Sequence, residues 1–219
     1  MQNKGIFITI EGGEACGKST QINLLKEYFS KLGIMEKVVF VREPGGTPLA
    51  EEIRNLLLNY KEDNPLPMTE LLLFCASRVE NVYKKILPAL SEGKIVFADR
   101  FYDSTIAYQG NARNIMSPEE ILSLTKTIIG DLEPDLTIYL KLSPLVAFER
   151  KKKLSTALDR IEMEGIDFHK KVAEGYEYIS NLESKRFAII DASASPQEVF
   201  QQIIEAINKK FPSLLKQKK

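Results

Sequence analysis

The chain has 219 residues, which favours a single domain over 1–219. Hydrophobic residues make up 44% of it, enough for a large core, and thirty basic and thirty acidic residues give a formal net charge of +0. No overall field would therefore hold the chain on nucleic acid or on an acidic membrane. No apolar run approaches the roughly 20 residues of a membrane span. The first strand pattern also starts too early to leave room for a signal peptide.

Two cysteines, Cys16 and Cys75, make neither a disulfide framework nor a zinc site, and they indicate a reducing, cytoplasmic compartment. His169 is the only histidine, which disfavours a Ser-His-Asp mechanism and a multi-histidine metal site. We interpret it as a partly exposed helix residue.

Five short apolar runs predict buried strands, and segments with helical spacing separate them. The runs are Ile6–Ile10, Val38–Val41, Ile95–Ala98, Leu136–Leu142 and Phe187–Ile190. Four helix starts are predicted where a capping residue precedes a proline, at Thr47-Pro48, Ser117-Pro118, Ser143-Pro144 and Ser195-Pro196. This alternation predicts an α/β fold with a five-stranded parallel sheet and helices on both faces. Ligands of such a sheet bind beyond the carboxyl ends of its strands.

The segment Gly12–Ser19, GGEACGKS, follows the first run and fits the pattern G-x-x-x-x-G-K-[ST] of phosphate-binding loops. A helical pattern that stops at Gly33 comes next, so strand, loop and helix disfavour a chance match. The backbone N–H groups of such a loop surround phosphate oxygens, Lys18 can reach the β and γ phosphates, and the Ser19 hydroxyl can ligate Mg²⁺. The predicted nucleotide-binding residues are Gly12, Gly13, Glu14, Ala15, Cys16, Gly17, Lys18, Ser19 and Thr20.

Asp99-Arg100 closes the third run. An acid at this position can hold Mg²⁺ through water, and the arginine offers a planar fork suited to phosphate. A structural salt bridge is the alternative.

The segment Arg42-Glu43-Pro44-Gly45-Gly46-Thr47 closes the second run, and its proline and glycines bring backbone close to another group. A plain turn is the alternative. Arg54 lies on the helix that follows, where it could instead extend along the apolar surface.

Phe74 and Arg78 lie four residues apart on the helical segment Thr69–Leu87, so they share a face. An aromatic ring beside a forked donor can stack on a base and bind its edge. Taken alone, a core phenylalanine with a surface arginine is the simpler account. The segment Ser104–Gly110 adds hydroxyl, phenol and amide groups, or else it is a polar helix cap.

The basic run Arg150-Lys151-Lys152-Lys153 ends a helix and precedes Asp159-Arg160-Ile161-Glu162. Such a run is commonly a solvated face. A phosphoryl-transfer enzyme also needs cations on a mobile lid that closes and expels water. Residues from about 150 to 162 are therefore the candidate lid.

In this order and spacing, the segments resemble the thymidylate kinase family, nucleoside monophosphate kinases that phosphorylate dTMP. The resemblance runs nearly end to end, through IEGGEACGKST, REPGGTPLAEEIR, LLLFCASR, DRFYDSTIAYQG, PDLTIYL, DRIE and IIDA. It is to the bacterial type, whose basic catalytic residues lie in the lid. It implies a P-loop NTPase fold, bound ATP and Mg²⁺, and a homodimer. The implied reaction transfers the γ-phosphoryl group of MgATP to dTMP, giving dTDP and ADP for dTTP biosynthesis.

The resemblance also implies roles for the substrate-binding residues. It assigns the dTMP phosphate to Arg54 and Arg100, and it assigns thymine to Phe74, by stacking, and to Arg78, by donation to O4. It places Thr105 and Gln109 beside the base. Tyr108 is expected under the deoxyribose, where it disfavours a 2′-hydroxyl. Glu14 and Glu43 are expected near the sugar or the magnesium ion.

For catalysis the resemblance implies Lys18, Arg100 and a lid cation, with Ser19 and Asp99 holding the metal. The lid is rich in lysine where relatives often have arginine, and lysine lacks bidentate geometry. We therefore favour Arg160 as the lid cation; the further candidates are Arg150, second, and Lys153, third.

The loop itself departs from the family pattern. Ala15 and Cys16 stand where bacterial relatives usually have glycine and alanine, and Ala15 requires backbone angles that suit a side chain. A helix N-terminus and a nearby lysine can lower a cysteine pKa, so Cys16 is hypothesised to be the more reactive thiol. The alternative is an inert thiol beneath the loop.

Three other functions fit these residues less well. A GTPase-like switch needs N-K-x-D, and Asn208-Lys209-Lys210-Phe211 lacks the acid. A kinase of another nucleoside monophosphate is disfavoured by Phe74, Arg78 and Thr105, which suit a pyrimidine. An interaction protein with an inactive loop is disfavoured because the catalytic residue types are present.

Overall fold

The computed structural model describes residues 5–60, 64–152, 159–212 and 214. Within them the strands are β1 (Ile6–Glu11), β2 (Val38–Arg42), β3 (Ile95–Asp99), β4 (Leu136–Lys141) and β5 (Phe187–Asp191). The α-helices are α1 (Lys18–Lys31), α2 (Pro48–Asn59), α3 (Pro67–Asn81), α4 (Leu87–Ser91), α5 (Tyr102–Thr105), α6 (Pro118–Ile129), α7 (Pro144–Lys152), α8 (Ile166–Leu182) and α9 (Pro196–Lys210). The five predicted strands are confirmed, each with its carboxyl end shifted by one residue.

The strands form one parallel sheet in the order β2-β3-β1-β4-β5. The sequence predicted the parallel sheet but not this order. Ile10 of β1 pairs with Asp99 of β3, so the two strands end side by side. The loop after β1 therefore lies next to Asp99-Arg100, at the edge where ligands of parallel sheets bind.

Alternation along β1 places apolar side chains on both faces of the sheet. Ile8 and Ile10 pack with residues of α1 and α9, whereas Phe7 packs on the opposite face with residues before and after β3. All three are at most 1% exposed. The prediction of a sheet covered on both faces is confirmed.

Local signals set the helix ends. Thr47 accepts from the backbone N–H of Ala50 at 3.2 Å, and the predicted capping boxes at Ser117 and Ser195 are both present. The helix predicted over Thr69–Leu87 differs in one respect, because a π-helical turn, Val82–Ile86, separates α3 from α4. Pro88 follows this turn and has no N–H to continue the regular ladder.

In the described part of the chain, none of the helices combines the length and the apolar character of a membrane-crossing segment.

Candidate active site

A cavity of about 770 Å³ opens at the carboxyl ends of the strands. It is lined by most of the residues that the sequence singled out: Glu14, Ala15, Cys16, Gly17, Lys18, Ser19, Thr20, Glu43, Arg54, Phe74, Arg78, Asp99, Arg100, Thr105, Tyr108, Gln109 and Arg150. Gly12, Gly13 and Arg160 are described but are not among its lining residues. Lys153 lies outside the described residues.

The phosphate-binding loop has the backbone of a strained, tight turn. Gly12 has a φ of 146°, and a Cβ there would lie 2.7 Å from the carbonyl oxygen of Leu140, so only glycine fits. The Nζ of Lys18 donates to the carbonyl oxygens of Gly12 and Gly13 at 3.1 and 2.9 Å. Lys18, the first residue of α1, therefore folds back and binds the backbone of the loop that precedes it.

The two unusual loop residues behave differently. Ala15 has a φ of 53°, in the left-handed region that favours glycine. Cys16 is 3% exposed and packs against the core, although it also borders the cavity. This burial supports an inert thiol beneath the loop over the hypothesis of a reactive one. Cys75 is also buried, and burial raises the pKa of its thiol.

Arg100 lies at the centre of a polar cluster beside the loop. Its Nη2 donates to Oε1 of Glu14 at 2.6 Å and to Oη of Tyr108 at 3.1 Å. Oη of Tyr108 in turn donates to the same Glu14 oxygen at 2.7 Å. Burial alone would raise the pKa of Glu14, but the charges of Arg100 and Lys18 and the Tyr108 hydrogen bond lower it to about 2. The carboxylate is therefore charged and held in place at neutral pH.

The part of the cavity around Arg78 has the character of a base-binding site. Arg78 is 1% exposed, so the alternative of a surface arginine is wrong. Its Nε donates to Oε2 of Glu43 at 2.9 Å, and its Nη2 donates to Oγ1 of Thr105 at 2.8 Å. Its Nη1 and Oε1 of Glu43 are both buried, and neither has a hydrogen-bond partner within the described part of the chain. Phe74 lines the cavity one helical turn away, so a ring and a free donor point to one planar ligand.

The turn after β2 is tied down by residues that the sequence analysis missed. Nδ2 of Asn81 donates to the carbonyl oxygens of Arg42 and Gly45 at 2.9 and 2.6 Å, and Oγ of Ser77 accepts from the N–H of Gly45 at 3.0 Å. Arg54 donates from Nη1 to the carbonyl oxygen of Pro44 at 2.9 Å. Ser77 and Asn81 are polar residues four apart on α3, a signal that could have revealed them.

Asp99 and Ser19 face the cavity from β3 and from the first turn of α1. Oδ1 of Asp99 is buried and has no hydrogen-bond partner among the residues that the structure describes, so it can serve as an oxygen ligand. The Ser19 side chain is exposed. Both oxygens are available to a cation.

The candidate lid residues are held in three different places. Nη2 of Arg150 donates to the carbonyl oxygen of Ala192 at 2.9 Å, and Nζ of Lys151 donates to that of Glu162 at 2.8 Å. Arg160 turns toward α2 and α3, where its Nε donates to the carbonyl oxygen of Leu57 at 3.1 Å. Of the three candidate cations, Arg150 is the one whose described side chain borders the cavity.

Two buried acids next to the site were also missed. Glu11, 0% exposed, ends β1 and accepts from Ser104 and Tyr176, and burial together with the charge of Asp103 raises its pKa to about 7 despite Arg100. Glu70 of α3 is the second, at 1% exposed. An acid that directly borders an apolar run is a signal for both, since buried carboxylates need partners.

A phosphate-binding loop after the central strand, with an acid–arginine pair at the end of the neighbouring strand, defines a P-loop nucleotide kinase. The family model described as thymidylate kinase matches residues 10–203. The chain belongs to the thymidylate kinase family. The predicted fold and the predicted activity, ATP-dependent phosphorylation of dTMP to dTDP in nucleotide biosynthesis, are confirmed.

Named relatives cover nearly the whole chain. A thymidylate kinase of Shouchella clausii (strain KSM-K16) is 44% identical over 94% of this chain and 96% of its own length. One of Lactobacillus helveticus (strain DPC 4571) is 40% identical over 96% of this chain and 99% of its own length. The crystal structure of thymidylate kinase from Ehrlichia chaffeensis has a TM-score of 0.75 and 34% identity, covering 93% of this chain and 98% of that one.

Proposed function

We propose that the cavity binds ATP and dTMP together, within one domain over 1–219, and transfers the γ-phosphoryl group directly between them. An oxygen of the dTMP phosphate attacks the γ phosphorus, and the bond from that phosphorus to the β–γ bridging oxygen breaks, leaving ADP and dTDP. The dTMP phosphate is already ionised at neutral pH, so no strong general base is needed. The observation that carries this proposal is that Lys18, Arg100 and Arg78 border the same cavity.

ATP binds at the phosphate-binding loop, from Gly12 to Thr20. Its phosphates replace the carbonyl oxygens of Gly12 and Gly13 as partners of Lys18. That ammonium then stabilises the charge that develops on the β and γ phosphates during transfer.

The unpartnered carboxylate oxygen of Asp99 and the exposed hydroxyl of Ser19 suit Mg²⁺, which prefers oxygen ligands and commonly shares them with phosphates and water. Asp99 and Ser19 would therefore hold the ion, Asp99 through water. When bound, it supplies positive charge to the phosphate oxygens.

The dTMP base lies at the Arg78 end of the cavity. Nη1 of Arg78 donates to O4 of thymine, Phe74 stacks on the ring, and Thr105 and Gln109 lie beside it. Oε2 of Glu43 keeps the Arg78 guanidinium in place through the 2.9 Å hydrogen bond, so Glu43 acts near the substrate rather than on the transferred group.

The dTMP phosphate lies between Arg54 and Arg100. Tyr108 lies under the deoxyribose, where its ring excludes a 2′-hydroxyl. Glu14, which binds both Arg100 and Tyr108, contacts the 3′-hydroxyl or the magnesium shell. These are the roles that the resemblance implied, and the shared cavity supports them.

The segment from about 150 to 162 acts as the lid and supplies the last cation. Arg160 remains the favoured residue, and its present hydrogen bonds mean that it must turn toward the cavity when substrates bind. Arg150 is second, because it borders the cavity but is held at the connection between β5 and α9. Lys153 is third.

The enzyme is a homodimer of the cytoplasm. Large apolar side chains that are 46–54% exposed lie on α2, α3 and the turn that follows: Leu49, Leu56, Met68, Leu72 and Tyr83. Burying such a face against a second copy would stabilise the pair. The free thiols of Cys16 and Cys75 fit a reducing compartment.

Sedimentation of Leu72→Glu tests the dimer. The variant should sediment as a monomer, whereas Leu182→Glu, at a leucine of α8 that is 55% exposed, should sediment like the native protein. A native-like Leu72→Glu would contradict this interface.

A comparison of five nucleoside monophosphates as phosphoryl acceptors tests the proposed function. In a coupled ADP-release assay with dTMP, dUMP, UMP, dCMP and AMP, kcat/KM should be highest for dTMP and much lower for UMP than for dUMP. Equal values for UMP and dUMP would contradict the role of Tyr108. A preference for dCMP or AMP would contradict the assignment of Arg78 to O4.

A further inference from the structure

Glu11 is a fully buried carboxylate for which the proposed mechanism has no use. It lies at the end of β1, directly before the phosphate-binding loop, and it is 0% exposed. Its Oε2 accepts from Oγ of Ser104 at 2.6 Å and from Oη of Tyr176 at 2.8 Å. Its Oε1 accepts from the backbone N–H of Phe101 at 2.7 Å. A buried carboxylate with three donors is a strong local organiser.

The same two hydroxyl oxygens accept from Arg100. Nη1 of Arg100 lies 3.2 Å from Oγ of Ser104 and 3.0 Å from Oη of Tyr176. A hydroxyl has one proton and two lone pairs. An ionised Glu11 can only accept, so it draws both protons toward itself and leaves lone pairs facing the guanidinium. Glu11 thereby sets the direction of two of the hydrogen bonds that hold Arg100, those to Ser104 and Tyr176.

Glu11 also holds the backbone at this point. Arg100 has a φ of 70°, in the left-handed region where residues other than glycine are strained. The N–H of the next residue, Phe101, donates to Glu11. The carboxylate therefore fixes the strained turn on one side and the guanidinium on the other.

We propose that Glu11 is a positioning residue for phosphoryl transfer: through Ser104 and Tyr176 it orients the Arg100 guanidinium toward the dTMP phosphate. The inference rests on the proposed function, because it takes from it the assignment of Arg100 to that phosphate. Glu11 itself does not touch either substrate.

The substitution Glu11→Gln keeps the shape of the side chain but replaces one of its two acceptor oxygens by a donor nitrogen. Where the amide nitrogen takes the place of Oε2 it donates, so the two hydroxyls lose that acceptor and the amide N–H competes with Arg100 for their lone pairs. At pH 8, where the native carboxyl with its pKa of about 7 is ionised, the KM for dTMP should rise about tenfold and the KM for ATP should change by less than about twofold. The control is Thr9→Val, also at a 0% exposed position of β1, whose hydroxyl bonds to Thr137 at 2.8 Å. It should lower stability without changing either KM.

A double-mutant cycle with Arg100→Lys separates positioning from a structural role. Arg100→Lys keeps the charge but loses the fork, so by itself it should raise the KM for dTMP. In that background, Glu11→Gln should change the KM for dTMP by less than about twofold, because its effect acts through the guanidinium. Tyr176→Phe, which removes one acceptor from Arg100, should raise the KM for dTMP several-fold even if Glu11→Gln does not fold.

The outcomes distinguish the two proposals. If Arg100→Lys leaves dTMP kinetics unchanged, the proposed role of Arg100 is wrong and this inference falls with it. If Arg100→Lys impairs dTMP binding but Glu11→Gln and Tyr176→Phe do not, only the inference is wrong. Tenfold effects of Glu11→Gln in both backgrounds, or equal changes in the KM for ATP and dTMP, would also overturn it.

Discussion

Arg160 donates from Nη2 to Oε2 of Glu70 across 2.5 Å, and Glu70 is 1% exposed. The other oxygen of this carboxylate accepts from Nε2 of Gln109 at 2.9 Å. Burial would raise the pKa of Glu70, but these two hydrogen bonds and the charge of Arg113 lower it. The carboxylate is therefore charged, and Arg160 can reach a phosphoryl group only by exchanging one anionic partner for another.

Replacing Arg160 by lysine tests this residue as the lid cation. Lysine keeps the charge but not the fork, so turnover should fall at least about tenfold while the KM for dTMP changes little. Arg113→Lys is the matched control, because Arg113 also donates to Glu70, at 3.3 Å, without a proposed part in transfer. Steady-state kinetics of both variants decide the matter. Native turnover in Arg160→Lys would transfer the role to Arg150 or Lys153.

Lys18→Ala should remove charge stabilisation from the phosphates of ATP. Losing one such electrostatic contact costs about 10² to 10³ in rate, and we expect turnover to fall by this factor. Circular dichroism should show a native fold, since Lys18 donates to Gly12, Gly13 and Cys16 of its own loop and, among the described residues, to no other group. Lys31→Ala, at the exposed end of α1, is the control and should have native turnover. A folded Lys18→Ala protein with near-native activity would refute the assignment.

Phe74→Ala should weaken dTMP binding more than ATP binding. Stacking on a base is worth about 1–3 kcal/mol, so the KM for dTMP should rise roughly tenfold. The KM for ATP should stay near its native value. Tyr178→Ala removes an exposed ring of α8 and serves as the control. An effect on ATP alone would show that the base site has been assigned to the wrong end of the cavity.

The framework of this protein could be predicted because its signals are local. The capping signals of Thr47, Ser117 and Ser195 each lie within four residues at the start of a helix. Gly12 and Lys18 belong to one short motif. Glu11 could not be predicted in the same way, because its partner Tyr176 lies 165 positions further along the chain. Hydrogen bonds between distant buried side chains depend on how the elements pack, and residue types alone do not reveal them.

The lid shows the same limit. The sequence indicated which residues carry charge there, but it gave no reason to expect that Glu70 of α3 would bind Arg160. Charge alone would favour Arg160 facing the phosphates, whereas in this structure the buried carboxylate of Glu70 binds it. Which partner prevails depends on the ligands present.

The buried pair of Glu43 and Arg78 should make stability depend on pH. Burial raises the pKa of Glu43 from 4.5 to about 7, although Arg78 opposes the shift. Between these values the folded protein binds more protons than the unfolded chain. The contribution of Glu43 to the free energy of unfolding is therefore complete below about pH 4.5 and is lost as the pH rises through 7.

Glu43→Gln should reduce this fall in stability, which is at most about 1.4 kcal/mol per pH unit for one proton. Urea unfolding at several pH values between about 4.5 and 7 measures the slope. Glu11, whose pKa is also raised to about 7, remains in the variant, so some slope should persist. Glu52→Gln, at an exposed position of α2, should keep the native slope. The interpretation is wrong if Glu43→Gln keeps it too.

Ala15→Gly should stabilise the protein, because the native backbone at this position has a φ of 53°. A left-handed conformation costs a residue with a side chain about 1–2 kcal/mol. Glycine escapes that cost but loses about 0.4–1 kcal/mol through the greater freedom of the unfolded chain. We expect a net gain of up to about 1 kcal/mol and a rise in Tm of about 2 °C for a chain of this size. Ala173→Gly, inside α8, is the matched control and should lose about 1 kcal/mol, because its backbone is right-handed. Thermal unfolding of the two variants compares the signs directly, and a loss of stability in Ala15→Gly would show that the loop is not strained there.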